Sequence, residues 1–263
     1  MIAEWIGGGL VRILTLVKLT VDISQLKYES SGEPLIDIAT RKMGDSDKCA
    51  VEEAIRLKEK YNAHTVVVTI GSTLDHERII RDAYAMGIDE GYMVEVDGYE
   101  NLQAITIGEI IKSIVEMTGP YDLIILGAGS LDTHSYTLGP IIASKIGVPV
   151  IAGVDSLNYI DGYFEARCIM EDGTYIYRSK PPLIVTVTTE ANEPRIPTLK
   201  TILKSKKMEI KRLKIESLNV KPEKIDLADL KRYVIQRKNI IWDASEDLEK
   251  VIDNLFKLLV SEV

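Results

Sequence analysis

Residues 64–96 read HTVVVTIGSTLDHERIIRDAYAMGIDEGYMVEV, and this stretch decides the fold. His64–Ile70 is a short, nearly unbroken apolar run rich in β-branched residues, the pattern of a strand covered on both faces. Gly71 is a turn. Thr73–Met86 has helical periodicity and is stopped by Gly87. Gly91–Val96 is a second strand. A strand, a helix and a second strand in that order form a crossover unit of two parallel strands.

The same alternation extends in both directions. Towards the N-terminus, Arg12–Lys18 (RILTLVK) is a buried strand, followed by a Ser-, Gly- and Pro-rich loop at 30–34 and a helix over Asp47–Tyr61. In that helix Ala50, Ala54, Leu57 and Tyr61 recur at helical spacing, Asp47 is a candidate N-cap, and Glu52 and Glu53 read as a solvated face. Towards the C-terminus come a helix over Asn101–Met117, a strand over Asp122–Leu126, a helix over Leu138–Ile146 and a strand over Val148–Val154. The pattern predicts an α/β fold with a doubly wound, mostly parallel sheet. A hairpin is expected next, with Tyr163–Met170 and Thr174–Arg178 flanking Glu171-Asp172-Gly173, and then a buried strand at Leu183–Thr188. A basic stretch between Lys200 and Lys214 reads as a helix face or a docking surface for an acidic partner. Residues 218–244 read as an extended arm, and Ser245–Leu259 as a final amphipathic helix. The expected organisation is a nucleotide-binding domain over 1–217 and a C-terminal arm and helix over 218–263.

The chain has 263 residues, 46% of them hydrophobic and 27% charged, with a formal charge of −8. That charge argues against a nucleic-acid partner, since neutralising phosphates needs a positive field. Cys49 and Cys168 are the two cysteines, far apart and in no metal-ligand spacing, so no zinc site or disulfide framework is expected and a reducing cytoplasm suits the chain. The opening MIAEWIGGGLVR has neither the charge pattern nor the apolar length of a signal peptide. No apolar run approaches a membrane span, so no membrane insertion is expected.

Ligands of open parallel sheets bind at the carboxyl ends of strands near the point where strand order reverses. The candidate loops follow Lys18, Ile70 and Leu126. The last runs Gly127-Ala128-Gly129-Ser130-Leu131-Asp132-Thr133-His134-Ser135-Tyr136-Thr137-Leu138-Gly139, small and hydroxyl-rich, and leads into a helix N-terminus suited to phosphate. An ordinary strand–turn–helix connection explains the local pattern equally well. His64, His76 and His134 lack partners that would make any of them catalytic. There is no Walker A sequence and no G-x-S-x-G elbow, and Gly7-Gly8-Gly9 precedes the first strand, so it cannot be a dinucleotide turn.

Four ordered segments together resemble the β (small) subunit of electron transfer flavoproteins: NEPRIPTLKTILKSKK (192–207), AVEEAIRLKEKY (50–61), AYAMGIDEGYMV (83–94) and the Gly127–Gly139 loop. The resemblance covers roughly residues 11–212. It implies an electron-carrying subunit rather than a free-standing enzyme, paired with an electron transfer flavoprotein α subunit that holds the redox FAD. It implies an adenine nucleotide in this chain: a structural AMP, or, as in bifurcating members that oxidise NADH, a second FAD. Carried over residue by residue, the nucleotide site comprises Leu16, Gly44, Asp45, Ser46, Asp47, Ile70, Gly71, Ser130, Thr133, His134, Ser135, Tyr136, Thr137 and Leu138. Leu199, with Lys204 and Lys207 beside it, matches the loop that docks partner dehydrogenases, from which electrons pass to a membrane or soluble acceptor. The chain departs from the family at Gly44-Asp45, usually Asn-Pro, and at Thr133-His134-Ser135, where FAD-binding members have Gly-Asp-Thr. Two readings of other classes compete. An ATP-pyrophosphatase-like hydrolase needs a Ser-Gly-Gly-x-Asp-like loop that Lys18-Leu19-Thr20-Val21 does not offer. A nucleotide-sensing homodimer leaves the NEPR segment unexplained.

Overall fold

The computed structural model describes residues 10–226, 228, 239–245 and 247–261. The opening glycines and much of the expected arm, 227 and 229–238, lie outside the described residues. The chain divides into two compact units, 1–230 and 231–263.

The first unit begins with strand β1 (Arg12–Leu16), a short antiparallel pair β2 (Leu19–Val21) and β3 (Arg41–Met43), helix α1 (Asp45–Tyr61) and strand β4 (His64–Ile70). Helix α2 (Leu74–Met86), strand β5 (Glu90–Glu95), helix α3 (Ala104–Thr118), strand β6 (Leu123–Gly127) and helix α4 (Leu138–Ile146) continue the alternation. Then come strands β7 (Val150–Ile160), β8 (Tyr163–Met170), β9 (Gly173–Ser179) and β10 (Leu183–Val187), helix α5 (Leu199–Ser205) and strand β11 (Lys211–Lys214). The main sheet has the order β11-β5-β4-β1-β6-β10-β7-β8-β9, parallel from β11 to β7, with β8 and β9 added antiparallel. This is the expected doubly wound architecture with its hairpin.

Alternation along β1 sorts the core into two layers. Ile13 packs with α1 and α2 residues such as Ala50, Ala54, Ile79 and Ile80, whereas Leu14 and Leu16 pack with Ile110, Ile111, Ile114 and Ile142 of α3 and α4. Helix ends follow local chemistry. Thr73 and His76 form a capping box at the start of α2, and Gly87, at φ +136°, ends it. Lys58 and Lys60 sit in the last turn of α1, where the dipole favours cations.

Strand β11 lies inside the stretch read as a basic helix face. Lys211–Lys214 pairs in parallel with Tyr92–Glu95 at the sheet edge. Arg212 bonds Glu95 at 2.9 Å and also Glu77, Lys211 bonds Glu90 at 2.5 Å, and Leu213 packs into the α3/α4 layer. The backbone ladder with β5 and the packing of Leu213 place this segment, with the ion pairs along its rim, and its own pattern carries no trace of these partners.

The second unit holds helix α6 (Leu248–Ser261), which starts three residues later than expected. Asp247 accepts a hydrogen bond from the Lys250 N–H at 3.0 Å. Leu248, Val251, Ile252, Leu255 and Leu259 share one stripe.

Candidate functional site

Strand order reverses at β1, with β4 on one side and β6 on the other, so the crevice beyond the carboxyl ends of β1 and β6 is the switch point. Helix α1 starts there. Gly44 is its N-cap, and the Gly44 N–H donates to the Lys18 carbonyl at 3.3 Å. Asp47 is therefore the third helical residue and not the cap expected of it. Its carboxylate turns out of the helix and ties the two sides of the crevice together. One oxygen accepts the Lys18 N–H at 2.8 Å and the other the Gly127 N–H at 3.2 Å. Burial pushes the Asp47 carboxyl up to about 7, against the pull of those two N–H donors.

Ser46 donates its hydroxyl to the Gly129 carbonyl at 2.7 Å. This seating depends on Gly127, because a Cβ there would lie 2.4 Å from Ser46 Oγ and 2.5 Å from Asp47 Oδ1. Asp45 is paired instead with Lys42 and Lys48, at 3.3 and 3.2 Å.

The loop beyond β6 is held by its own polar groups. Ser130 and Thr133 hydroxyls bond at 2.8 Å, Thr137 donates to the Ser135 hydroxyl at 3.2 Å, and the Thr133 N–H donates to Asp132 at 2.8 Å. His134 and Tyr136 adopt left-handed backbone, φ 47° and 54°, and the Tyr136 hydroxyl meets His134 Nε2 at 2.8 Å. This curl lays the Tyr136 ring over Gly129, 3.1 Å from where a Cβ would stand. Across the mouth, the Lys18 ammonium lies 2.8 Å from Asp132. The loop runs into α4 at Leu138, whose first turn presses on β10: a Cβ on Gly139 would meet Thr186 at 2.3 Å. Pro140 in the first turn of α4 has no N–H and the Ile141 N–H donates to the Thr137 carbonyl, which leaves the Leu138 and Gly139 N–H groups without a partner in their own helix.

Direct contacts thus tie Gly44, Ser46 and Asp47 to Lys18, Gly127 and Gly129. Ser130 and Thr133 bond each other, and the Lys18–Asp132 pair bridges the two groups; Ser135, Tyr136, Thr137 and Leu138 complete the same loop. Leu16 and Ile70 belong to the α3/α4 core layer below it. Gly71, at φ +148°, ends β4 against the His76 imidazole, 2.1 Å from its Cβ position. His76 is buried, packs edge-on to Tyr99 at 4.4 Å, bonds Thr73 at 2.7 Å, and is pushed down to about 4 by desolvation, so it is neutral. Sequence reasoning misses Lys18 and Asp132, whose pairing spans 114 residues. It reaches the Lys18 position only as a loop, with no signal for the side chain.

Leu199, Lys204 and Lys207 form a separate surface on and just after α5. Ile196, Leu199 and Leu203 are exposed there. The preceding NEPR segment is an anchor. Glu52 and Glu53 are buried, not solvated as expected. Glu52 accepts Arg195 Nε at 2.8 Å, Nη2 at 3.1 Å and the Arg195 N–H at 3.1 Å. Glu53 and the Cys49 carbonyl accept both Asn192 Nδ2 protons, at 3.1 and 3.0 Å. Adjacent helix positions do point apart, but the returning chain after β10 covers both.

A family model described as "Electron transfer flavoprotein domain" matches residues 35–218, which include the α1 start, the β6–α4 loop and the NEPR segment. The chain belongs to the electron transfer flavoprotein family. Its curated relatives place it with the β subunits of that family. It is 32% identical over 203 residues to "Electron transfer flavoprotein subunit beta" of Bradyrhizobium diazoefficiens, covering 76% of this chain and 80% of the relative. The protein of the same name from Dictyostelium discoideum is 31% identical, covering 80% and 84%. That of Thermoanaerobacterium thermosaccharolyticum is 28% identical, covering 82% and 84%. As an electron transfer flavoprotein β subunit, the chain stands among electron carriers rather than hydrolases. No helix among its described residues is long and apolar enough to cross a membrane.

Proposed function

We propose that this chain pairs with an electron transfer flavoprotein α subunit, holds an AMP in the switch-point crevice, and helps pass electrons from dehydrogenases to a downstream acceptor in the cytoplasm. The observation that carries the nucleotide reading is the convergence of Lys18, the α1 start and the β6–α4 loop on one crevice. The residues present suit a phosphate. Two hydroxyl pairs and the Leu138 and Gly139 N–H groups at the α4 N-terminus supply donors, the Lys18 ammonium stands at the mouth in its pair with Asp132, and Gly127 and Gly139 keep the backbone close. The half-buried Ile70 offers apolar surface for an adenine, backed by the buried Leu16.

The FAD of the α subunit supplies the redox chemistry when bound. This chain's part is to hold its own nucleotide, to pack on the partner through the 218–263 arm and the α6 stripe, and to present Leu199. Lys204 and Lys207 beside that leucine favour an acidic rim on the partner dehydrogenase. A second reading, a further FAD in place of AMP, is favoured by the two hydroxyl pairs spaced along one loop, which could serve a diphosphate.

The test is co-expression with the α subunit, isolation of the heterodimer and mass identification of released ligands. One FAD and one AMP per heterodimer is the expected result. Two FAD would support the second reading, and failure to form a flavin-bearing heterodimer would refute both.

A further inference from the structure

The exposed segment Ile196–Leu203 hangs between two arginine side chains that reach into, or out of, the neighbouring helices. On its N-terminal side Arg195 turns inward. Its guanidinium makes paired bonds to Glu52 (2.8 and 3.1 Å) and to Glu59 (2.6 and 3.0 Å), using four of its five donors. Pro194 and Pro197 bracket this residue and restrict the backbone there. On the C-terminal side Arg81 of α2 reaches outward. Its Nη1 meets the carbonyls of Ser205, Lys206 and Met208 at 3.0, 3.3 and 3.3 Å, and the Tyr84 hydroxyl meets the Glu209 carbonyl at 2.6 Å. Between the two clasps Thr198 caps α5 by accepting the Thr201 N–H at 3.3 Å. Ile196 is 92% exposed and Leu199 73% exposed.

We propose that Arg195 and Arg81 are positioning residues that hold the docking segment in its presenting shape. The proposal rests on the docking reading given above. The apolar side chains between the clasps would otherwise be ordered only on contact, at an entropic cost to binding. Arg195 has turned its charge into α1, so it does not reach the partner, and its effect runs through loop geometry. At 195 a lysine keeps the charge and loses the planar fork that spans two carboxylates; at 81 it loses the reach and orientation with which one guanidinium nitrogen meets three carbonyls.

The test uses the heterodimer with its α subunit, as wild type, Arg195→Lys, Arg81→Lys and Leu199→Ala. Three measurements are made: reduction by a flavin dehydrogenase that reduces the wild type, reduction by dithionite, and amide hydrogen exchange over 196–204. The expected result for each lysine variant is faster exchange over 196–204, KM for the heterodimer raised about tenfold with kcat within about twofold, and an unchanged dithionite rate. Leu199→Ala should raise KM with exchange unaltered. Faster exchange in the lysine variants with KM unmoved would overturn the positioning role while leaving the docking surface intact. An unmoved KM in Leu199→Ala would overturn the docking reading itself and the proposal with it. Should Arg195→Lys fail to assemble, Arg81→Lys carries the same comparison, since its hydrogen-bond acceptors are all backbone carbonyls and Glu77, 3.9 Å away, keeps its pair with Arg212.

Discussion

Arg195 holds Glu52 by two side-chain hydrogen bonds, 2.8 and 3.1 Å, and its own backbone N–H donates to the same carboxylate at 3.1 Å. One carboxylate of α1 therefore anchors both the side chain and the main chain of a segment 143 residues away.

Replacing Glu52 with Gln should be costly. The glutamine keeps an acceptor but loses the charge-assisted fork and places an NH2 against donors. Because Arg195 is part-exposed, the expected loss is about 2 kcal/mol, below that for a fully buried pair. The acid limb gives a second readout. Burial raises the Glu52 carboxyl, but the Arg195 contacts outweigh it and hold it below 4.5. Its contribution is present above that pH and is lost as pH falls through the depressed value. Urea midpoints of wild type and Glu52→Gln should converge on acidification below about pH 4. Parallel curves would refute the linkage.

Gly127→Ala should damage the crevice. The new Cβ would sit 2.4 Å from Ser46 Oγ and 2.9 Å from the Asp47 backbone nitrogen, and the helix start cannot simply rotate away. A loss of about 2–3 kcal/mol is expected from overpacking, and on the proposed function the nucleotide content of the complex with the α subunit should fall with it. Gly147→Ala is the control. Its Cβ meets nothing within 4 Å, so only the left-handed backbone at φ +78° opposes it, at about 1 kcal/mol. Calorimetry and ligand quantitation should rank the two variants in that order.

Asp47 predicts a pH dependence of opposite sign to Glu52. Its carboxyl rises from 3.8 to about 7 in the folded chain, so the native state holds a proton that the unfolded state has released. Stability from this group declines as pH rises between those values and is level above about 7. Relative to Asp47→Asn, the wild type should lose a few kcal/mol between pH 5 and pH 8. An equal difference between the two at both pH values would show that burial does not raise this group.

The layered α/β architecture was legible because its signals are local. The strand at His64–Ile70 shows as an apolar run, the helix after it as a 3.6-residue repeat, and its stop as Gly87. The ordered likeness of four segments pointed to the family before any geometry. The candidate crevice was legible at the level of loops, since ligands of parallel sheets bind at the carboxyl ends of strands, but which loops meet waited on the strand order.

What remained illegible is pairwise and distant. Glu52 and Glu53 look like solvated carboxylates in any window of α1, because their partners Arg195 and Asn192 arrive after β10. Asp47 resembles an N-cap until Gly44 takes that place and two distant backbone N–H groups claim its oxygens. The amino-acid sequence by itself determined the alternation of the main strands and helices, a product of short-range periodicity and turn chemistry, and its likeness in four ordered segments pointed separately to the family. Only the tertiary structure decided which charged side chains face inward, why Gly127 must lack a side chain, and how Arg195 and Arg81 suspend the segment between them. Each of these depends on groups brought together across the sheet, where desolvation and hydrogen-bond geometry, rather than local pattern, set the outcome.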